Sequence, residues 1–156
     1  MPDTLDFDSP EYTAFVNGFR TRLRQGPLCV VFSGPSARQR GGALAELSDQ
    51  AQLPLHVVPL ETRVADRAPV MLANLREDFD SAGTSPAILC FRHADQFIAR
   101  ALDTHGGTAS NLPPLDYIFE RARRFRGAVV LSLDDPTHEP LVEGRGDVWI
   151  RFSADE

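Results

Sequence analysis

The segment with the clearest potential for chemistry is the turn GPSARQRG, residues Gly34–Gly41. It follows the apolar run Leu28–Phe32, which is typical of a strand buried on both faces, and it precedes Ala43, Leu44 and Leu47 at helical spacing. A strand, a turn and a helix in this order form the frame of a phosphate-binding loop. Such a loop needs backbone N–H groups around the phosphates, a cation on the phosphate oxygens and a hydroxyl group on Mg²⁺.

The residues of this turn depart from those requirements. Gln39 puts a side chain where the backbone must approach the phosphates closely, and Gly41 supplies no hydroxyl group for magnesium. Arg40 keeps a positive charge, but its planar guanidinium group is bulkier than an ammonium group. All 16 basic residues of the chain are arginine, so no lysine is present for phosphate binding, Schiff-base formation or base catalysis. The N-terminus of the following helix could still attract an anion.

Three later segments also place polar residues where chemistry could occur. In ILCFRHAD an apolar run leads into Arg92 and His93, with Asp95 two residues later. In VVLSLDDP another apolar run leads into Asp134, and GRGDVWIRFSADE carries Arg145. A histidine in the position of His93 could act as a base, although a lone histidine at a strand end is more often a hydrogen-bonded surface residue.

In this order and at these spacings, the four segments resemble the core of the AAA+ ATPases over nearly the whole chain, from about residue 26 to residue 156. Gly34 and Pro35 match the start of that family's G-P-P-G-T-G-K-T loop, while Arg40 and Gly41 stand at its lysine and threonine positions. Asp95 matches an aspartate that often follows the family's Walker B residues.

The other two segments extend the resemblance. Asp134 stands at the asparagine position after the family's sensor-1 strand. Arg145 matches the arginine of a G-R-F-D ending, and some members insert a nearby arginine into the neighbouring subunit's nucleotide site. An arginine in an ordinary turn explains Arg145 equally well. By resemblance, the candidate cofactor-binding residues are Gly34, Arg40, Gly41, Asp95, Asp134 and Arg145.

The departures from the family pattern predict that hydrolysis is lost. Arg92 replaces the aspartate linked to magnesium, which is unfavourable for a divalent cation, and His93 replaces the carboxylate that polarises water. Together with Arg40 and Gly41, these changes remove most of the groups that position and neutralise a transferred phosphoryl group. We therefore expect no catalytic residue, no metal ion and no resident cofactor, with ATP binding kept as an alternative.

The hydrophobic pattern predicts an α/β fold. Continuous apolar strands alternate with helices, which indicates βαβ units and a five-stranded, mostly parallel sheet covered on both sides. The resemblance implies a three-layer αβα sandwich of the P-loop NTPase (AAA+) type. Residues 1–8 are expected to be a loose acidic tail, and residues 103–114 and 134–146 are expected to be loops. The predicted strands are 28–32, 55–58, 87–91, 128–133 and 147–152. The predicted helices are 10–24, 40–52, 70–79, a fourth that starts at residue 93 or 95 and runs to 102, and 115–124.

Length and composition favour one soluble domain over residues 1–156. No apolar run approaches the ~20 residues that span a bilayer, and the acidic start MPDTLDFDSPEY lacks the features of a secretory signal, so a cytoplasmic location is expected. Cys29 and Cys90 lie in apolar runs and are interpreted as small buried side chains, and the four histidines are scattered. The family's lid domain would begin where this chain ends, so the chain is expected to be a fragment or a protein without a lid.

These observations predict a non-hydrolysing AAA+-like domain that acts as a structural, regulatory or partner-binding module, docked on a protein partner or a ring neighbour. One alternative is a nucleotide-binding protein or weak ATPase whose loop tolerates Arg40. A second is a DNA-associated, initiator-like or clamp-loader-like accessory protein that uses the arginines at 20–24 and 121–126. The net charge of −6 makes nucleic acid the least favoured partner. An unrelated α/β fold with the same pattern is the remaining alternative.

Overall fold

Short runs of β-branched and aliphatic residues build the centre of a parallel sheet in the computed structural model, which describes residues 3–108 and 111–154. Helices lie on both faces of this sheet. The strands are β1 (Asp3–Asp6), β2 (Leu28–Ser33), β3 (Leu55–Pro59), β4 (Ala87–Arg92), β5 (Gly127–Leu133) and β6 (Val148–Arg151). The helices are α1 (Pro10–Arg24), α2 (Ala37–Ala51), α3 (Ala68–Ala82), α4 (Ala94–His105) and α5 (Pro113–Ala122), and 3₁₀ helices cover Leu60–Arg63 and Pro136–Val142.

The strand order is β1-β6-β2-β5-β4-β3, and every pairing is parallel. The first central strand, β2, therefore lies between the last two, so that Val30 is opposite both Val130 and Val148. This order differs from the two common doubly wound orders, in which the first strand has strand two as a neighbour. Its consequence is that the chain segments that leave β6, β2, β5 and β4 are neighbours at the carboxyl edge of the sheet.

Two hydrophobic cores hold the helices to the sheet. On one face, α1 and α2 bury side chains such as Phe19 and Leu47 against alternate residues of β2, β4, β5 and β6. On the other face, α3, α4 and α5 bury side chains such as Phe79, Phe97 and Ile118 against the intervening residues. Burial on both faces explains why the central strands are apolar at most positions. Each helix in the described ranges is too short or too polar to cross a lipid bilayer.

The sheet has six strands, and the prediction of five was wrong. The segment predicted to be a loose tail contains β1, which pairs with β6 and places Asp3 opposite Val148. Phe7 then packs its ring 5.0 Å from that of Tyr12 and 5.1 Å from that of Phe152. Aspartate is disfavoured in strands, so the sequence DTLD gives no strand signal by itself. Pairing with β6 decides its conformation, and residues 1–2 of the tail lie outside the described residues.

Most of the predicted elements are present, but several of their bounds differ. The predicted start of α1 matches, because the Ser9 hydroxyl oxygen accepts a hydrogen bond from the Tyr12 N–H at 3.1 Å. Helix α2 begins at Ala37, three residues earlier than predicted, because Ser36 caps it in the same way through the Gln39 N–H. Helix α4 continues to His105, inside the segment predicted as a loop, and residues 109–110 of that segment lie outside the described residues.

Gly127 provides a test of how closely β4 and β5 are packed. Its φ is +125°, and a Cβ atom placed on it would lie 1.9 Å from the Ala87 carbonyl oxygen. We expect Gly127→Ala to lower the free energy of unfolding by at least about 2 kcal/mol, because it adds both backbone strain and a steric clash. Urea unfolding would measure this loss.

Gly42→Ala is the matched control, because Gly42 lies on the exposed side of α2 with no atom within 4 Å of an added Cβ. It should raise the stability by about 0.5–1 kcal/mol, since alanine is a better helix former. A stable Gly127→Ala variant would show that the close approach to Ala87 is not required.

Candidate functional site

The turn after β2 is shorter than a loop that wraps a phosphate. Only Gly34, Pro35 and Ser36 separate β2 from α2, so Gln39 and Arg40 already lie in the helix. The Gly34 N–H donates to the Leu133 carbonyl oxygen at 3.2 Å, and this hydrogen bond directs it toward the end of β5. A Cβ atom on Gly34 would lie 2.3 Å from the backbone oxygen of Phe152, so the chain after β6 covers the turn closely.

Arg40 turns its guanidinium group back onto this turn. One terminal nitrogen, Nη1, donates to the Gly34 carbonyl oxygen, and the other, Nη2, donates to Asp134 Oδ1 at 3.0 Å. The residue is only 7% exposed, so these partners stand in for much of the water that a guanidinium group would otherwise bind. The Arg40 guanidinium group is therefore already paired within the chain.

Asp134 joins the ends of β5 and β4. Its Oδ2 atom contacts the Nδ1 atom of His93 and accepts a hydrogen bond from the Gln96 side-chain amide at 3.1 Å. His93 has a left-handed backbone conformation, with φ of +58°, which turns the chain from β4 into α4. The carboxylate of Asp134 thus has donors from α2 and α4 and from the turn between β4 and α4.

Asp95 forms a second, more deeply buried anchor at the same edge. It is 1% exposed, and its Oδ2 atom accepts from the N–H groups of Asp134 and Asp135, at 3.2 and 3.0 Å, and lies 3.0 Å from His138 Nδ1. Its Oδ1 atom accepts from the N–H of Gln96, at the positive end of the α4 dipole. A buried carboxylate with this many donors holds the turn after β5 against α4.

Glu139 ties the 3₁₀ helix Pro136–Val142 to the sheet. The Ser33 hydroxyl donates to Glu139 Oε2 at 2.6 Å, and Arg151 donates to Oε1 at 2.9 Å. Ser33 ends β2 and Arg151 ends β6, so one carboxylate connects two neighbouring strand ends. Ser33 is 1% exposed and donates its proton to this carboxylate, which is the wrong arrangement for a nucleophile.

Three side chains, two of them near this edge, have shifted pKa values with clear causes. Hydrogen bonds from the hydroxyl and N–H groups of Thr137 lower the pKa of the exposed Asp135. Burial raises the pKa of the Cys90 thiol to about 12, against an opposing effect of Arg92 and Arg40. Burial and the charge of Asp147 likewise raise the pKa of Cys29 to about 12. Both thiols are therefore protonated at neutral pH and are not nucleophiles.

The structure brings four of the six candidate site residues together at the carboxyl edge, namely Gly34, Arg40, Asp95 and Asp134. Gly41 lies inside α2, on its exposed side, where an added Cβ atom would meet nothing within 4 Å. In this helical setting Gly41 is not part of the turn.

Arg145 lies at the opposite end of the sheet. It precedes β6, and nearby Asp147 bonds through its N–H to the Cys29 carbonyl oxygen at the start of β2. Its guanidinium group pairs with Asp116 at 2.6 Å and lies 5.1 Å from the centre of the Phe119 ring. These contacts are those of an arginine that holds α5 against the turn before β6.

Several residues of this network were not predicted from the sequence: Ser33, Gln96, His138, Glu139 and Arg151. His138 and Glu139 lie in the segment predicted as a loop with at most one short turn. A sequence signal for that helix exists, because Asp135 followed by Pro136 is a typical helix start, and the Asp135 side chain accepts from the Thr137 N–H at 2.9 Å. Which strand ends those side chains would reach depends on the order of the strands.

The arginine clusters are partly paired. Arg121 bonds to Asp80 and to the Tyr117 hydroxyl oxygen, at 3.0 and 2.7 Å. Three other arginines, taken from both clusters, line a hollow of about 380 Å³ at the amino edge of the sheet. They are Arg20, Arg24 and Arg126.

No protein-family model matches this chain, and a search of curated proteins finds no match to it. Within residues 3–108 and 111–154, no group of three or more His, Cys, Asp or Glu side chains is arranged to hold a metal ion. Function therefore has to be inferred from the geometry and charge of the residues themselves.

The carboxyl edge is poorly suited to a polyphosphate. A phosphate group could reach Arg40 only by separating it from Asp134, which would leave a carboxylate without its strongest partner. The carboxylates of Asp95, Asp135 and Glu139 lie around the same segment and would repel an anion. The arrangement fixes the loops in place and commits the Arg40 guanidinium group to partners within the chain.

We expect Asp95→Asn to lower the free energy of unfolding by about 2–4 kcal/mol. In either orientation, the amide NH₂ group would face N–H donors that now bond to a carboxylate oxygen. The control is Asp103→Asn, the same change on the exposed side of α4. Chemical denaturation of both variants measures the difference, and equal stabilities would contradict the role given to Asp95.

Proposed function

We propose that this chain is a non-hydrolysing domain with an AAA+-like αβα architecture, and that it acts as a structural, regulatory or partner-binding module. The observation that supports this proposal is the partly buried ion pair between Arg40 and Asp134, with an Nη2–Oδ1 distance of 3.0 Å. By the resemblance, Arg40 stands at the lysine position of the family's phosphate-binding loop.

The short turn supports the loss of nucleotide chemistry. Helix α2 begins three residues after Gly34, so the backbone has no wide loop with which to surround a phosphate. Gly41 provides no hydroxyl group for magnesium, and His93 contacts Asp134 at the position expected for a carboxylate that polarises water. Phosphoryl transfer depends on positioning and on charge neutralisation, and here the turn is short and Arg40 is paired with Asp134.

A binding role is supported by the rigidity of the same edge. The side chains of Arg40, Asp95, Asp134 and Glu139 join three helical segments to three strand ends through hydrogen bonds. A network of satisfied, charge-assisted hydrogen bonds holds loops in one arrangement. Loops held in this way present a constant surface to a protein partner, including a neighbouring subunit of a ring.

The proposal predicts that the melting temperature of the chain does not change with millimolar Mg-ATP. A ligand present at 100 times its dissociation constant would stabilise the folded state by about 2.7 kcal/mol, which corresponds to several degrees for a chain of this size. Differential scanning fluorimetry with ATP, with and without Mg²⁺, measures this. A shift of several degrees would contradict the proposal.

Arg40→Ala separates a structural role from nucleotide binding. It should lower the free energy of unfolding by about 2–4 kcal/mol whether or not Mg-ATP is present, because the Gly34 carbonyl oxygen loses the guanidinium donor and Asp134 loses its cationic partner. Arg100→Ala, at an exposed position of α4, is the control and should have little effect. A Mg-ATP-dependent shift in the unmodified chain that disappears in Arg40→Ala would instead favour the nucleotide-binding alternative.

A DNA-associated accessory role is a second candidate function, favoured by one observation. Arg20, Arg24 and Arg126 converge on one hollow although they belong to different sequence clusters. Three arginines are few compared with the roughly 6–10 phosphate contacts of a typical DNA-binding surface, and the net charge of −6 opposes association.

We therefore expect fluorescence anisotropy to show no binding of duplex DNA at low salt. Salt-sensitive binding that weakens when Arg20, Arg24 and Arg126 are replaced by alanine would support the DNA-associated role and overturn this expectation. The triple variant Arg76→Ala, Arg92→Ala and Arg100→Ala removes the same charge elsewhere and serves as the control.

A further inference from the structure

The two edges of the sheet differ in chemistry. An edge strand exposes unpaired N–H and C=O groups, and soluble proteins commonly protect such strands with charged residues. At one edge, β1 has the sequence DTLD, with a carboxylate at each end. At the other edge, β3 has the sequence LHVVP, with no Asp, Glu or Arg.

The backbone of β3 is available for pairing on its outer side. The Pro54 carbonyl oxygen accepts from the Ile88 N–H at 2.9 Å, so Pro54 directs its polar group toward β4. Backbone groups alternate in direction along a strand, so His56 and Val58 also face β4, while Leu55 and Val57 direct their N–H and C=O groups outward. Pro59 follows this outward pattern but has no N–H group to donate.

The side chains of the outward-facing residues are also uncovered. Leu55 is 37% exposed and Val57 is 44% exposed, whereas Val58, on the other face of the strand, is 9% exposed. The core under α1 and α2 includes buried residues of β2, β4, β5 and β6, and β3 contributes none to it. The apolar face of β3 therefore lies outside the part of the sheet that α1 and α2 cover.

We propose that β3 pairs in the antiparallel direction with β3 of a second copy of this chain, across a two-fold axis at Val57. This register places Val57 opposite Val57, Leu55 opposite Pro59 and His56 opposite Val58. In each copy the Val57 N–H donates to the Val57 carbonyl oxygen of the other. The Pro59 carbonyl oxygen takes no part in this pairing, because it already accepts from the Thr62 hydroxyl at 2.7 Å. The two sheets become one continuous sheet.

We infer a second copy of the chain as the partner of β3, because the strand is complementary to itself. A two-fold interface brings the same patch of each subunit together, so a charged strand would place like charges opposite each other. Strand β3 has no carboxylate or guanidinium group, so it avoids this cost, whereas β1 paired in the same way would bring Asp3 and Asp6 of the two copies together. Leu55, Val57 and Pro59 lie on one face, so the two copies bury a shared apolar cluster.

The dimer is weak because the interface is small. One strand of five residues from each copy buries less than the roughly 1,000 Å² that a stable interface needs, so the dimer should populate only at high concentration. The inference is independent of the proposed function, because it depends on the edge strand β3 and not on the residues at the carboxyl edge.

Sedimentation velocity of the full chain from about 5 to 500 μM tests the proposal, and the weight-average mass should rise toward that of a dimer. Val57→Lys should weaken association by at least about tenfold, because two ammonium groups would face each other at the axis. Val70→Lys is the matched control, since Val70 is 43% exposed but lies on α3, which packs against the other face of the sheet. It should associate like the unmodified chain.

Cysteine crosslinking gives an independent measurement. Paired residues of an antiparallel ladder lie about 5.5 Å apart at their Cα atoms, within the range that a disulfide can bridge. Val57→Cys should therefore form a crosslinked dimer at least about tenfold faster than Val70→Cys under mild oxidation. The native thiols of Cys29 and Cys90 are buried and should not compete.

An unmodified chain that remains monomeric at the highest concentration would overturn the proposal and leave β3 open to an extended peptide of another protein. Dimers that persist in Val57→Lys, or that weaken equally in Val70→Lys, would also overturn it. Melting temperatures of the lysine variants, compared with that of the unmodified chain, show whether any loss of association reflects unfolding.

Discussion

The ion pair between Arg40 and Asp134 is the interaction on which the carboxyl edge of this protein depends. A guanidinium group that is 7% exposed needs acceptors of its own, and it has the Gly34 carbonyl oxygen and the Asp134 carboxylate. Both acceptors are available only when the turn after β2 is short and the end of β5 lies beside it. The same pairing that stabilises the edge also occupies the Arg40 guanidinium group.

Asp95 and Glu139 extend this constraint to the neighbouring segments. Asp95 holds the turn after β5 against the start of α4, and Glu139 joins the ends of β2 and β6 through Ser33 and Arg151. The carboxylates are thus used to satisfy donors inside the chain. In a catalytic site the same groups would be free to hold a metal ion or to orient water. Here their hydrogen bonds to neighbouring segments give these groups a structural role instead.

The parallel sheet explains both the site and the exposed edge. Parallel strands place all their carboxyl ends at one side, which concentrates polar residues there. Because the connections run over the two faces, the helices cover the central strands most fully and leave the outer strands partly open. Acidic residues protect β1 at one edge, whereas β3 exposes Leu55 and Val57 at the other.

The sequence by itself determined the fold class and most helices and strands, because continuous apolar runs and helical periodicity reflect burial directly. The resemblance of its motifs also marked Gly34, Arg40, Asp95 and Asp134, which follow such runs in the sequence. Tertiary structure decided what those residues do. The strand β1 depends on pairing with β6, because DTLD has no strand propensity of its own. Which donor meets which carboxylate, and the separation of Arg145 from the other candidates, follow from the order of the strands, which local sequence patterns do not encode.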